Sequence, residues 1–312
     1  MQSSSSRREF LRSVYGGAAA LAVGAASLVA PHVLAASEPQ GPAPRAGWTI
    51  GCYTRPWGEH DYRVALDAIA EAGYKHVGLM TAKSKTGLVI SVETTLDEAR
   101  KVGEEVKARG LQIPSLYAGG IPVEKSLQAA IDGMKILIDR CAAVGAKDLR
   151  MGGVGDPTLH GPYYKAIAET CGYAAEKEIG ISVKPHGGTN ATGPQCRKVI
   201  EGVGRKNFGL WYDPGNIFYY SDGKVDPVAD SATVDGIVVG MSVKDYKHPK
   251  EVMVTPGTGQ VNFPAVLARL KKGGFTTGPL IVETLAVGDL PALLAEAKKA
   301  RKFLEDTVAG IP

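Results

Sequence analysis

Residues 48–80 of this 312-residue chain read WTIGCYTRPWGEHDYRVALDAIAEAGYKHVGLM. A β-rich run covers Trp48–Tyr53, an amphipathic run ends at Gly73, and a second β-rich run covers His76–Met80. A glycine directly after a helix is a typical stop signal, because glycine adopts the left-handed conformation at little cost. The stretch therefore predicts a strand, a helix and a second strand, with the two strands parallel and joined by a right-handed crossover.

The same unit recurs along the rest of the chain. Six more β-rich runs are found at Gln112–Ala118, Asp148–Gly152, Ile181–His186, Phe208–Asp213, Ile237–Asp245 and Leu280–Thr284. Helical patterns separate them, including Leu96–Ala108 before Gly110 and Leu127–Val144 before Gly145. Eight strands alternating with helices over about 260 residues predict an α/β fold, a closed (β/α)8 TIM barrel. An open doubly wound sheet is the alternative, but no GxGxxG motif follows the first strand.

The amino-terminal 35 residues have the pattern of an export signal. Residues 6–12 read SRREFLR, which resembles the twin-arginine signal, and an Ala/Gly-rich run and small residues at 33–35 follow. We therefore expect a cleaved twin-arginine signal peptide at 1–35, a linker at 36–46 and one TIM-barrel domain at 47–312, located in the periplasm or elsewhere outside the cytoplasm. An uncleaved membrane anchor is the alternative; after cleavage no stable membrane span is expected.

Charge and cysteine content argue against some classes of function. Removal of residues 1–35 takes away three arginines and one glutamate, so the net charge falls from +4 to +2. A chain this close to neutral has no electrostatic basis for binding nucleic acid. The four cysteines show no CxxC or Cys/His metal spacing, and we expect them to be buried free thiols.

Polar side chains stand at the carboxyl ends of most predicted strands. They are Tyr53, Arg150, Lys184, His186, Asp213, Asn216, Ser242, Lys244, Asp245 and Glu283. In a barrel these ends converge on one pocket, and polar groups on apolar strands are costly to bury without a role. We expect Arg150 either to hold a substrate oxyanion or to pair with Asp213 or Glu283, and Lys244 to pair with Asp245.

Four motifs in the second half of the chain carry a resemblance to a known family. They read WYDPGN at 211–216, VKD at 243–245, PGTGQVNF at 256–263 and IVET at 281–284. With them the chain resembles the sugar phosphate isomerase/epimerase family, whose barrels are xylose isomerase-like. The resemblance implies a divalent metal bound by Glu, Asp, His and Glu on strands five to eight. It also implies that the two glutamates move protons next to a carbonyl while the metal stabilises the enediolate.

The chain departs from that pattern at two of the four metal positions. Asp213 and Glu283 match strands six and eight, whereas Lys184 stands on strand five and Ser242 on strand seven. A protonated lysine cannot ligate a metal, and serine is a poor substitute for imidazole. The site then holds either a divalent metal (Mn, Mg, Co or Zn) bound by Asp213, Glu283 and His186, or the Lys184 ammonium in its place.

The function predicted from these residues is removal of a proton next to a carbonyl in a carbohydrate or keto-sugar. Glu283 is the expected base, and Lys184 and His186 are the other expected catalytic residues. The residues expected to bind this small-molecule substrate are Arg150, Asn216, Lys244 and Trp57. Isomerisation, epimerisation and β-elimination share that first step. The alternative is a catalytically degenerate, metal-free barrel that binds a sugar or a partner protein, and both hypotheses are compatible with a homo-oligomer.

Overall fold

The computed structural model describes residues 47–311, so the predicted signal peptide at 1–35 and linker at 36–46 lie outside the described residues. Within 47–311, eight parallel strands pair in chain order and close into a barrel, because the first strand also pairs with the eighth. The strands are β1 (Trp48–Tyr53), β2 (His76–Leu79), β3 (Gln112–Leu116), β4 (Asp148–Met151), β5 (Gly180–Val183), β6 (Phe208–Tyr212), β7 (Val238–Val243) and β8 (Gly278–Val282). The predicted α/β barrel is confirmed, and each strand lies within three residues of its predicted bounds.

Helices connect the strands on the outside of the barrel. They are α1 (Tyr62–Glu71), α2 (Leu96–Ala108), α3 (Leu127–Val144), α4 (His160–Glu176), α5 (Gly193–Val203), α6 (Pro214–Tyr220), α7 (Pro227–Ser231), α8 (Phe263–Lys272) and α9 (Leu290–Ala309). Their ends follow local sequence: Thr95 and Glu98 form a capping box at the start of α2, and Gly145 ends α3 at a φ of 82°. In the part of the chain from 47 to 311, none of the helices is long and apolar enough to span a membrane.

Apolar packing between helices and strands forms the main core. On α2, for example, Ala99, Val102 and Val106 are buried at the spacing of one helical face. All four cysteines lie in this buried layer as free thiols, as expected.

A small second core contains two large aromatic rings. The rings of Tyr53 and Trp211 pack there with Ile281, separately from the main core. Gly78 lies against the Tyr53 ring and Gly240 against the Trp211 ring, and neither position has room for a Cβ atom. The two glycines are therefore required by close approach, and the Tyr53 ring that Gly78 admits lies against the guanidinium of Arg150.

Candidate functional site

The centre of the site is the carboxylate of Glu283, directly after β8, which is fully buried. Its Oε1 lies 2.7 Å from Arg55 Nη1, 2.9 Å from Lys184 Nζ and 2.7 Å from Lys244 Nζ. Three cationic side chains from three different strand ends thus converge on a single carboxylate oxygen.

The second carboxylate oxygen of Glu283 also has three donor groups of the protein around it. Its Oε2 accepts hydrogen bonds from Arg150 Nη1 at 2.8 Å, from Ser242 Oγ at 2.6 Å and from Lys184 Nζ at 2.9 Å. We call Arg55, Arg150, Lys184 and Lys244 the cation cluster. A carboxylate offers about four lone-pair positions, so both oxygens of Glu283 are saturated by the protein itself.

The second carboxylate of the site is Asp213, which caps the start of α6. Its Oδ1 accepts the backbone N–H of Asn216 at 2.9 Å. Its Oδ2 lies 2.8 Å from Lys184 Nζ, an ion-pair contact without hydrogen-bond alignment, and 3.5 Å from Lys244 Nζ. The Lys184 ammonium is therefore held between the carboxylates of Asp213 and Glu283.

These residues do not fit a divalent metal. The Lys184 ammonium bridges the two carboxylates expected as ligands, at 2.8 Å from Asp213 and 2.9 Å from Glu283. A metal cation placed between them would be repelled by the other positive charges of the cation cluster. Among residues 47–311, no group of three or more His, Cys, Asp or Glu side chains is arranged to hold a metal ion. The expected ligand set of Asp213, Glu283 and His186 is thus not assembled.

The charges of the cluster set the proton affinities of the site. Burial alone would raise the pKa of Glu283, but the positive charges of Lys184, Lys244, Arg150 and Arg55 hold that pKa well below its ordinary value. Both oxygens of Glu283 are already occupied by donors of the protein, which leaves no lone pair for a substrate proton, so the expected role of Glu283 as the base does not fit its surroundings. Burial lowers the pKa of Lys184 to about 7, despite the neighbouring carboxylates.

His186 differs from the cluster because its ring is open to solvent at the mouth of the barrel. Neither ring nitrogen has a hydrogen-bond partner among residues 47–311, and the ring centroid lies 5.6 Å from that of Tyr220. Partial burial of the imidazole, followed by the positive charges of Lys184 and Lys244, lowers the pKa of His186 to about 4. The imidazole is therefore neutral near pH 7 and free to accept a proton.

Two of the residues expected to bind substrate, Arg150 and Asn216, hold other residues of the site instead. Arg150 is buried and pairs with Glu283, which was the alternative expected for it, and its guanidinium carbon lies 4.5 Å from the centroid of the Tyr53 ring. Asn216 is 4% exposed, and its Oδ1 accepts a hydrogen bond from Lys244 at 3.1 Å while its Nδ2 donates to the Pro185 carbonyl.

The prediction for Trp57 is wrong, because this side chain is 1% exposed and belongs to the apolar core. A short turn at Arg55–Trp57 follows β1, and it directs the indole into the core while the arginine reaches the site. The ring thus cannot stack on a sugar.

The expected pair of Lys244 and Asp245 is also wrong. The Asp245 carboxylate accepts backbone N–H groups from Tyr246, Gly257, Gly259 and Val261. Asp245 therefore anchors the PGTGQVNF loop to β7, whereas Lys244 turns to Glu283 and Asn216.

A family model described as the xylose isomerase-like TIM barrel matches residues 66–307. The chain belongs to this family. No protein with a curated description matches the chain by sequence.

Solved xylose isomerase-like barrels show the same fold at low identity. A xylose isomerase domain protein from Planctomyces limnophilus is 18% identical, with a TM-score of 0.67, and the match covers 85% of this chain and 99% of that one. A D-allulose 3-epimerase from Methylomonas sp. is 16% identical (TM-score 0.65, 84% and 98% covered). A D-psicose 3-epimerase solved with D-tagatose, from Clostridium cellulolyticum H10, is 12% identical (TM-score 0.65, 83% and 99% covered).

Two residues of this xylose isomerase-like site were missed from the sequence. Arg55 lies two residues beyond β1, and Tyr220 lies at the end of α6 beside His186. Neither residue lies at the end of a predicted strand, so the pattern of polar residues at strand ends did not include them. The signal for Arg55 is that the loops after the strands of a barrel line the same mouth as the strand ends.

Proposed function

We propose that this chain is an exported sugar isomerase or epimerase that removes a proton next to a carbonyl, with the Lys184 ammonium in place of a metal. One observation carries the proposal: Lys184 Nζ lies 2.8 Å from Asp213 and 2.9 Å from Glu283, between the two acids that match the family's ligand positions. The epimerase names of the similar structures support a carbohydrate substrate.

His186 is the proton acceptor in this proposal, because it is neutral, solvent-facing and without a hydrogen-bond partner among the described residues. The imidazole takes the proton from the carbon next to the carbonyl, and the electron pair of that C–H bond moves to the carbonyl oxygen. The resulting enediolate accepts a hydrogen bond from the Lys184 ammonium. Return of the proton from His186 to the former carbonyl carbon, with the hydroxyl proton passing to the former carbonyl oxygen, isomerises the sugar. Protonation of the original carbon from the opposite face by solvent water, with the His186 proton released to solvent, epimerises it.

The experiment that tests the proposal is proton exchange in heavy water. Purified protein is incubated with a panel of aldoses and ketoses, and deuterium at the carbon next to the carbonyl is followed by NMR. We expect exchange with at least one sugar, lost in His186→Asn. Sugar binding without exchange would favour the second candidate, a metal-free binding module, which the saturation of Glu283 also suits.

The shifted pKa values of His186 and Lys184 predict how turnover depends on pH. His186 accepts a proton only above its pKa, which is lowered, so activity is expected to persist at acid pH. Lys184 donates only while protonated, and its pKa of about 7 means that turnover falls as the pH rises through neutrality. We therefore expect an optimum on the acid side of pH 7 in kcat measurements. A kcat that rises steadily into alkaline pH would show that the Lys184 ammonium takes no part in turnover.

Export rests on residues 1–35, and we propose the twin-arginine route for it. Replacement of both Arg7 and Arg8 by lysine is expected to leave a longer precursor in the cytoplasm, because the paired arginines are the determinant of that route. Cell fractionation and immunoblotting measure this. Normal processing of the double variant would contradict the assignment, and Arg12→Lys provides a control in the same segment.

A further inference from the structure

The group of ionised side chains around Glu283 holds more cations than carboxylates. While Lys184 is protonated, the four members of the cation cluster face only two carboxylates, Asp213 and Glu283, which leaves an excess of two positive charges. His186 adds no negative charge. Uncompensated charge of this kind is costly in a buried site unless a counter-ion binds there.

The other nearby acids do not neutralise this excess. Asp245 makes no ion pair with any of the four members of the cation cluster, and its oxygens instead accept four backbone N–H groups of its own loop. Asp148 lies deeper in the barrel, on β4, where it accepts a hydrogen bond from Ser182 at 2.6 Å. Burial raises the pKa of Asp148 to about 7, which further weakens its negative charge. The excess is therefore located at the open end, around Glu283.

Arg55 is the most exposed member of the cation cluster. Its side chain is 28% exposed, whereas Arg150, Lys184 and Lys244 are each at most 4% exposed. Only one of its terminal nitrogens contacts Glu283, and its remaining donors have no partner among residues 47–311. A guanidinium with a free edge binds carboxylate or phosphate oxygens through paired hydrogen bonds.

The rest of the mouth suits a sugar ring. Tyr117 and Tyr220 are both half-buried, and Tyr220 lies beside His186. The Tyr117 hydroxyl and His186 Nδ1 both face Gly152, where the missing side chain leaves the space between them open. Aromatic rings bind the C–H faces of sugars while their hydroxyls remain available for hydrogen bonds.

We infer that the site takes an anionic sugar, one that carries a carboxylate or a phosphate, and that the free edge of Arg55 anchors the anionic group. This inference rests on the proposed function only in placing a sugar at the mouth. It specifies what the proposed function leaves open, namely the charge class of the substrate.

Binding of matched ligands tests the inference without requiring turnover. Glucose, galactose and mannose are each titrated calorimetrically as the neutral hexose, the uronate and the 6-phosphate. We expect at least one anionic form to bind about tenfold more tightly than its neutral hexose, the size of effect that a charged hydrogen-bonded contact gives. The stronger of the two anionic forms identifies the anionic group.

Variants assign that preference to Arg55. Arg55→Gln is expected to remove the preference for the anionic form over the neutral hexose. Arg55→Lys, which keeps the charge and loses the paired donors, is expected to retain part of that preference. Lys250→Gln is the matched control, because Lys250 is a cation from the loop after β7 that pairs with exposed Asp222 outside the cluster. Its anion affinity should stay within about twofold of the unaltered protein, the scale of a screened surface charge.

The outcomes separate this inference from the proposed function. Equal binding of neutral and anionic forms, equal loss of both in Arg55→Gln, or no binding of any of the nine ligands would overturn the inference. An anionic preference without proton exchange would retain the inference and overturn the proposed function. Exchange with a neutral sugar that binds as well as its anionic form would retain the proposed function and overturn the inference.

Discussion

Glu283→Gln is expected to destabilise the protein by about 3–5 kcal/mol, the cost of leaving a buried ion pair without one partner. The change keeps the size of the side chain but removes the negative charge on which all four members of the cation cluster converge. Asp213 alone would then face four cations, and the amide –NH2 would point a donor at groups that are themselves donors. Urea unfolding followed by circular dichroism measures the loss.

Glu93→Gln is the matched control for that substitution. Glu93 pairs with Lys85 at 2.8 Å, but both side chains are well exposed, so no measurable change in stability is expected. If Glu283→Gln were as stable as this control but unable to catalyse proton exchange, Glu283 would be the base after all, and the saturation of its oxygens would not be decisive.

Lys184→Met is expected to lower kcat by about 10²–10³-fold, the usual effect of removing one donor to a developing oxyanion. The expected change in stability is small, because Glu283 keeps Arg55, Arg150 and Lys244 and Asp213 keeps Lys244 and the N–H of Asn216. The measurement is kcat for exchange together with the free energy of unfolding. A loss of stability with unchanged turnover would make Lys184 a structural counter-charge only.

Metal analysis completes the test of Lys184. Protein purified without chelator is expected to contain well under one equivalent of metal, and its activity is expected to survive EDTA. Stoichiometric Mn, Co, Zn or Mg bound through Asp213 and Glu283 would contradict the replacement of a metal by lysine. Lys85→Met is the control for Lys184→Met, because it removes the charge of an exposed lysine that pairs only on the surface.

The barrel was predictable because its signals are local. Alternation of β-rich and amphipathic runs, with stops such as Gly145, depends on neighbours within a few residues, and the strand and helix bounds followed closely. The motif positions of Asp213 and Glu283 were likewise visible in the chain, as were Lys184 and Ser242 at the two positions where the family resemblance implies a glutamate and a histidine.

Side-chain direction at the strand ends was not predictable in the same way. Trp57 and Arg55 share one short turn, yet the indole enters the core and the guanidinium reaches Glu283. Lys244 and Asp245 are adjacent, yet one faces the site and the other its own loop. Periodicity does not continue into a turn, so the sequence pattern carries no rule for which way such residues point.

The sequence by itself determined the α/β barrel, the family resemblance and the set of polar residues at one end of the strands. Only the tertiary structure decided that four cations from β1, β4, β5 and β7 or the residues just beyond them meet one carboxylate at the end of β8. The physical reason is that proton affinity and metal affinity depend on distances of about 3–4 Å between residues far apart in the chain. Closure of the barrel sets those distances, and so determines that Glu283 is a saturated counter-ion while His186 stays free.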